Sequence, residues 1–156
     1  MADVKLYIAA DHAGLELKNL LKGWLKPKHS LLDLGVHVPE RIDYPIMAIR
    51  LAKRVASQPD AKGILVCGTG IGMSIVANKI PGVRAAVIYD GLTAKMARAH
   101  NNANIACLGA RNITFQTALL ISEIFLETEF AGKNKEGKRH LKRVERIENH
   151  EKKIFK

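Results

Sequence analysis

Several things are scarce in this sequence, and each scarcity closes off a class of protein. Cysteine occurs twice, at Cys67 and Cys107, with neither a CxxC pair nor the dense spacing of a disulfide-stapled secreted fold. No apolar run approaches the roughly 18 residues that a membrane helix needs, so no membrane partner is expected. Asp3 and Lys5 interrupt the N-terminus before any apolar stretch of signal-peptide length. A soluble, reducing, cytoplasmic setting is the expectation. The six histidines form no HExxH, and no His or Cys pair has zinc-finger spacing, so no metal site is expected. Ser74 lies in no GxSxG, which argues against a Ser-His-Asp hydrolase.

What is present is ordinary globular composition, 47% hydrophobic and 26% charged, on 156 residues. That length suits one domain over residues 1–156. The net charge of +10 invites a nucleic-acid reading, but ten Lys or Arg against four Glu from Lys133 to Lys156 put most of the excess in the tail. Aromatics make up only 5% and do not interleave with that basic run as stacking platforms for bases would. Residues 133–156 read as a basic helical extension, and nucleic acid is not the expected partner.

Strand-like and helix-like patterns alternate, which implies a parallel sheet covered by helices. Strand patterns span Val4–Ala10, Ser30–Leu34, Gly63–Val66, Val83–Ile88 and Asn104–Leu108. Between the first two, Leu17, Leu20, Leu21, Trp24 and Leu25 mark one apolar helix face that Pro27 ends. Asp43 caps a second helix with Pro45 in its first turn and a stripe of Ala48, Leu51, Ala52 and Val55. Further helices are expected over Ile71–Lys79, Leu92–His100 and, capped by Thr114, up to Glu127. After a polar hinge from Gly132 to Gly137, Leu141, Val144 and Ile147 form a stripe narrow enough to suggest docking on another surface. The fold class is α/β: a three-layer α/β/α sandwich with a five-stranded parallel Rossmann-like sheet and a C-terminal helix extending toward a partner subunit.

Ligands of open parallel sheets bind outside the carboxyl ends of the strands. That rule selects Asp11 and His12, Cys67 with the following glycines, Tyr89 and Asp90, and Cys107. In Cys67-Gly68-Thr69-Gly70-Ile71-Gly72-Met73-Ser74, glycine at alternate positions lets successive N–H groups turn inward as a nest for negative charge. It is neither a dinucleotide fingerprint nor a P-loop, because Met73 takes the last GxGxxG position and no GK[ST] follows. A cysteine at the mouth of such a turn is placed where helix-end amides favour thiolate over thiol. A buried small hydrophobe is the competing account of Cys67 and the preferred one of Cys107. Asp11-His12 and His100-Asn101 can equally be helix caps. Arg139 and Arg143, four apart, share a helix face and can grip a phosphate or stand solvated.

These motifs together resemble the type B ribose-5-phosphate isomerases, within the superfamily that also holds the galactose-6-phosphate isomerase subunits. The matching segments are Ile8 to Gly14, Asp43-Tyr44-Pro45, Cys67 to Ser74, Ala77-Asn78-Lys79, Val83-Arg84-Ala85, His100 to Asn104, Gly109-Ala110-Arg111 and Arg139 to Val144. The resemblance implies a cofactor-free, metal-free aldose–ketose isomerase in which Cys67 moves a proton between C2 and C1 and Thr69 helps between O1 and O2. It implies that amides of Gly68, Gly70, Ile71, Gly72, Met73 and Ser74 hold the oxyanion, and that His100 with Asp11 opens the furanose ring. Tyr44 and Asn101 would hold hydroxyls; His12, Arg111, Arg139 and Arg143 would hold phosphate. A homodimer or dimer of dimers follows from the same source, with the site between subunits. One branch of the family carries glutamate where this chain has Ser74 and lacks the cysteine, so this chain resembles the cysteine branch. Lys133 to Glu136 lengthens the hinge before the arginines. Hexose 6-phosphates such as allose or galactose 6-phosphate, and binding of a sugar phosphate without turnover, are the alternatives.

Overall fold

Each inner strand is apolar on both sides, as a sheet sandwiched between helices requires. In the computed structural model, which describes residues 6–155, the strands are β1 (Leu6–Ala10), β2 (Leu31–Asp33), β3 (Lys62–Cys67), β4 (Ala85–Val87) and β5 (Ile105–Gly109). All pairings are parallel, in the order β2-β1-β3-β5-β4. Val4 and Lys5, expected to begin the first strand, and Lys156 of the basic tail lie outside the described residues.

Six helices connect or follow these strands: α1 (Leu15–Leu25), α2 (Tyr44–Ala56), α3 (Ile71–Ala77), α4 (Gly91–Ala99), α5 (Phe115–Glu127) and α6 (Lys138–Ile154). Alternate strand residues feed two cores. Leu6, Ile8, Ile64, Val66, Ala106 and Leu108 face α1, α4 and α5, whereas Tyr7, Ala9, Leu65, Cys67, Ile105 and Cys107 face α2 and α3. The three-layer expectation therefore holds. The edge strands β2 and β4 are three residues each, shorter than their apolar runs, because each pairs on one side only.

The apolar face expected on α1 is only partly buried. Leu17, Leu21 and Leu25 form one i, i+4 row against the sheet, and Leu20 and Trp24, in the adjacent row, are 46% and 47% exposed. The interior gains Lys18 instead, fully buried, with its ammonium 2.8 Å from both oxygens of Asp33 and also donating to the Val36 carbonyl at 2.6 Å. An ammonium is tolerated there because a carboxylate and a carbonyl replace its water.

The hinge before α6 is a packed element. It forms two 3-10 turns, Ala131–Lys133 and Lys135–Gly137, and a Cβ on Gly137 would run into the Ala131 carbonyl. Within α6, His140 and Val144 are buried against the same chain. Glu148 pairs with Arg84 at 3.3 Å, and the Gly82 N–H donates to Glu151 at 2.9 Å. Of the expected docking stripe, Val144 is thus used within this chain, while Leu141 and Ile147 stay exposed.

Candidate active site

The strand order turns between β1 and β3, and a crevice at the carboxyl ends of such a pair is where a doubly wound sheet receives its ligand. Ala10 pairs with Val66 there, so the next residues, Asp11 and Cys67, stand on neighbouring strand ends. Gly14 keeps them together: a Cβ on it would strike the Val66 carbonyl, so the His12–Gly14 turn lies directly on β3. Asp11 is buried and accepts the Gly14 N–H at 3.0 Å, so its capping role is real. His12 donates from Nδ1 to the Ile42 carbonyl at 3.3 Å, leaving Nε2 as its second polar atom.

The glycine turn begins one residue after Cys67. Gly70 has φ of 78°, in the left-handed region that favours glycine, and its N–H donates to Cys67 Sγ at 3.1 Å. An amide donor on sulfur stabilises negative charge there. Gly109, the partner of Cys67 in the sheet, lies so close to the Thr69 backbone that a Cβ would approach it to 2.7 Å. Thr69 Oγ1 accepts the Ile71 N–H at 3.4 Å. The Arg111 guanidinium covers Gly68, and the Tyr44 ring, at the start of α2, covers Gly72. Met73 is fully buried and the Ser74 hydroxyl donates to the Ala85 carbonyl at 3.4 Å, so both side chains are turned into the fold, and the Ser74 N–H donates to the Gly70 carbonyl at 3.1 Å. Cys67 itself is 5% exposed. A cleft of about 340 Å³ is lined by Thr69, Tyr89, Gly109 and Asn112 among others, and neither Cys67 nor Asp11 borders it.

A second group of the expected residues sits at the other edge of the sheet. His100 and Asn101 precede the first residue of β5, whereas Cys67 pairs with its last. Those two ends are four residue steps apart, about 13 Å along the strand. Asp11 and His100, which the resemblance pairs in ring opening, are therefore not brought together within this chain. The reason is connectivity: α4 runs back from the carboxyl edge, so its C-terminus falls at the amino edge. There the His100 ring stacks on His140, with centroids 4.0 Å apart and planes 9° from parallel, and the Arg139 Nε–H donates to His140 Nε2 at 3.3 Å. A cleft of about 400 Å³ between α6 and the start of β4 is lined by Asn101, Arg84 and His150 among others.

Sequence reasoning passed over His140. Its one signal is position: it lies four residues before Val144, on the buried row of α6. Burial, then the neighbouring His100, Arg139 and Arg143, push its titration below the ordinary histidine range. Other strand-end candidates are structural. Cys107 is fully buried, and burial together with Cys67 pushes its thiol far up. Asp90 caps α4 in a reciprocal box with Thr93. No group of three or more His, Cys, Asp or Glu able to hold a metal occurs among the described residues, and no helix among them is long and apolar enough to cross a membrane.

A parallel α/β sheet with a cysteine and a glycine-rich turn at its switch point places this chain among the α/β proteins whose ligand site lies at the strand ends. Residues 6–147 match the Ribose/Galactose Isomerase family, and the chain belongs to that family. It is an isomerase. A probable ribose-5-phosphate isomerase B of Mycoplasma pneumoniae is 42% identical over 144 residues, 91% of each chain. The ribose-5-phosphate isomerase B of Clostridium thermocellum superposes with a TM-score of 0.90 at 41% identity, covering 97% of this chain and 99% of that one. The enzyme of Mycoplasma genitalium, solved with bound ribulose-5-phosphate, gives 0.90 at 39% identity with the same coverage.

Proposed function

We propose that this chain interconverts D-ribose 5-phosphate and D-ribulose 5-phosphate through an enediolate, without a metal, with Cys67 as the base. The observation that carries the reading is the Gly70 N–H held 3.1 Å from Cys67 Sγ, at the mouth of a glycine-rich turn that leads into α3. The Cys67 thiolate takes the proton from C2 of the opened aldose, and the electron pair left behind forms the C1–C2 double bond of the enediolate. Amides from Gly68 to Ser74 hold the charge that develops on oxygen, where preorganised donors lower the barrier most. Thr69 carries a proton from O2 to O1, and the thiol returns its proton to C1, which completes the ketose.

His100 opens the ring by general acid–base transfer, a role an imidazole can fill. Because His100 and Cys67 lie at opposite edges of one sheet, the complete site takes His100, Asn101, Arg139 and Arg143 from a second copy. That copy faces Cys67, Asp11, His12, Tyr44 and Arg111 of the first. The working unit is thus a homodimer or a dimer of dimers in the cytoplasm. Residues 1–156 act as one isomerase domain, and 133–156 reach toward the partner. The ligand is a sugar phosphate, not nucleic acid or a membrane.

The family's own description spans ribose and galactose, so a hexose 6-phosphate is the second reading. Turnover of ribose 5-phosphate, allose 6-phosphate and galactose 6-phosphate by the purified chain separates them. The pentose is expected to give the highest kcat/KM. Its failure to turn over, with a hexose phosphate converted, would replace this reading by the second. Binding without turnover of any of the three would make the chain a sensor.

A further inference from the structure

α6 buries two of its residues, Val144 and His140, and the second has a role that ring opening and phosphate binding leave unassigned. Only 4% of His140 is exposed. One face of its ring lies flat on His100, 4.0 Å between centroids and 9° from parallel. At its edge, Nε2 accepts the Arg139 Nε–H at 3.3 Å. An acceptor at Nε2 places the neutral ring's proton on Nδ1, and Nδ1 is buried with no hydrogen-bond partner among the described residues. A buried, unpartnered N–H destabilises the fold, and an apolar ring would avoid that cost. What an apolar ring would not supply is the acceptor for Arg139.

From this geometry we propose that His140 is a positioning residue for two others at once: its face sets the plane of the His100 imidazole and its Nε2 aims the Arg139 guanidinium. The proposal rests on the reading of His100 as the ring-opening group and of Arg139 as a phosphate contact. Rigidity upstream supports it. Gly132 leaves no room for a Cβ between the Phe130 ring and the Leu141 N–H, and Gly137 none before the Ala131 carbonyl, so the first turn of α6 is locked in place. Neutrality supports it too, since burial, His100, Arg139 and Arg143 all disfavour a proton on His140. When His100 takes up a proton it then faces an uncharged ring rather than a second cation.

Two substitutions divide the roles. His140→Phe keeps a flat ring and removes the acceptor; His140→Gln keeps an acceptor near the Nε2 position and removes the ring. With ribose 5-phosphate, His140→Phe is expected to keep kcat within about twofold while KM rises about tenfold, as loss of a charge-assisted phosphate contact predicts. His140→Gln is expected to lower kcat about tenfold or more with KM nearly unchanged, since acid–base catalysis contributes that much or more. Parallel losses in the two variants, or no loss in either, would overturn the proposal. If the wild-type chain does not turn over ribose 5-phosphate, the functional reading fails instead, and the two failures are told apart. Should either variant not fold, nitrogen-15 NMR of the labelled wild-type histidines decides: His140 neutral with an unprotonated Nε2 at pH 7 supports the proposal, and a protonated Nε2 overturns it.

Discussion

The two edges of the sheet hold their functional residues by different means. At the carboxyl edge the main chain does it: Gly14 and Gly109 each sit where another backbone comes too close for a side chain, and Gly70 holds a left-handed φ of 78°. At the amino edge side chains do it, through the His100–His140 stack, the Arg139 contact and the Arg84–Glu148 pair along α6. Geometry built from backbone cannot be altered without disturbing the core. A side-chain lattice on a surface helix can be altered one contact at a time, and activity and stability separate there.

The largest expected effect is Cys67→Ala. Removing the base should lower turnover roughly 10³-fold, within the range that positioned acid–base groups contribute. Sugar-phosphate binding should survive, because the amides and arginines remain. Turnover within tenfold of wild type would refute Cys67 as the base. Next is Gly109→Ala, whose Cβ would stand 2.7 to 2.8 Å from the Thr69 backbone. Overpacking of this kind costs about 1–3 kcal/mol, and denaturant unfolding should record it together with a fall in kcat as the turn is pushed off its geometry. Stability and rate should move together at this edge.

Arg143→Ala is the matching probe of the other edge. The side chain is exposed, so unfolding should shift by no more than about 0.5 kcal/mol. KM for the sugar phosphate should rise about tenfold, the size of a lost charge-assisted contact. An unchanged KM would remove Arg143 from the phosphate site, and a large loss of stability would erase the contrast between the edges.

The carboxyl edge was the legible one. An apolar run that stops at Asp11, or at Cys67 before alternating glycines, announces a strand end and a turn, and the strand order only had to bring the two together. The α2 stripe of Ala48, Leu51, Ala52 and Val55 was equally plain, since those four are buried. On α1 the period was readable but not the orientation: Leu20 and Trp24 are as apolar as Leu21 and Leu25, and which row meets the sheet depends on how the helix docks. Lys18 was illegible because its burial depends on Asp33, supplied by a separate strand. His140 hid in a basic run, where its place four residues before Val144 was the one sign of burial, and its stack on His100, forty positions earlier, appears only in the fold.

Acid separates the two regions by their titrations, a smaller effect than the others. Burial alone would raise the Asp33 carboxyl at the end of β2, but hydrogen bonds from Lys18, Lys22 and the Gly35 N–H outweigh it and hold the group below the usual carboxylate range. A depressed folded value means the unfolded chain takes up the proton first, so this stabilisation is present above about pH 4 and is lost as pH falls through the folded value. His140 is depressed as well, by burial first and then by neighbouring cations. The unfolded chain therefore binds a proton at this residue from about pH 6.5 downward that the folded chain resists, and stability falls with pH in that higher window. Unfolding midpoints measured from pH 8 to 3 should accordingly decline in two stages. His140→Phe should reduce the stage that begins near pH 6.5, to which His29, lowered by burial first and then by Lys28 and Lys62, also contributes, and leave the acid one. Asp33→Asn should do the reverse, with a lower midpoint at pH 7 because the buried Lys18 loses its counter-charge; a single stage unaffected by either substitution would show that neither edge titrates as a unit.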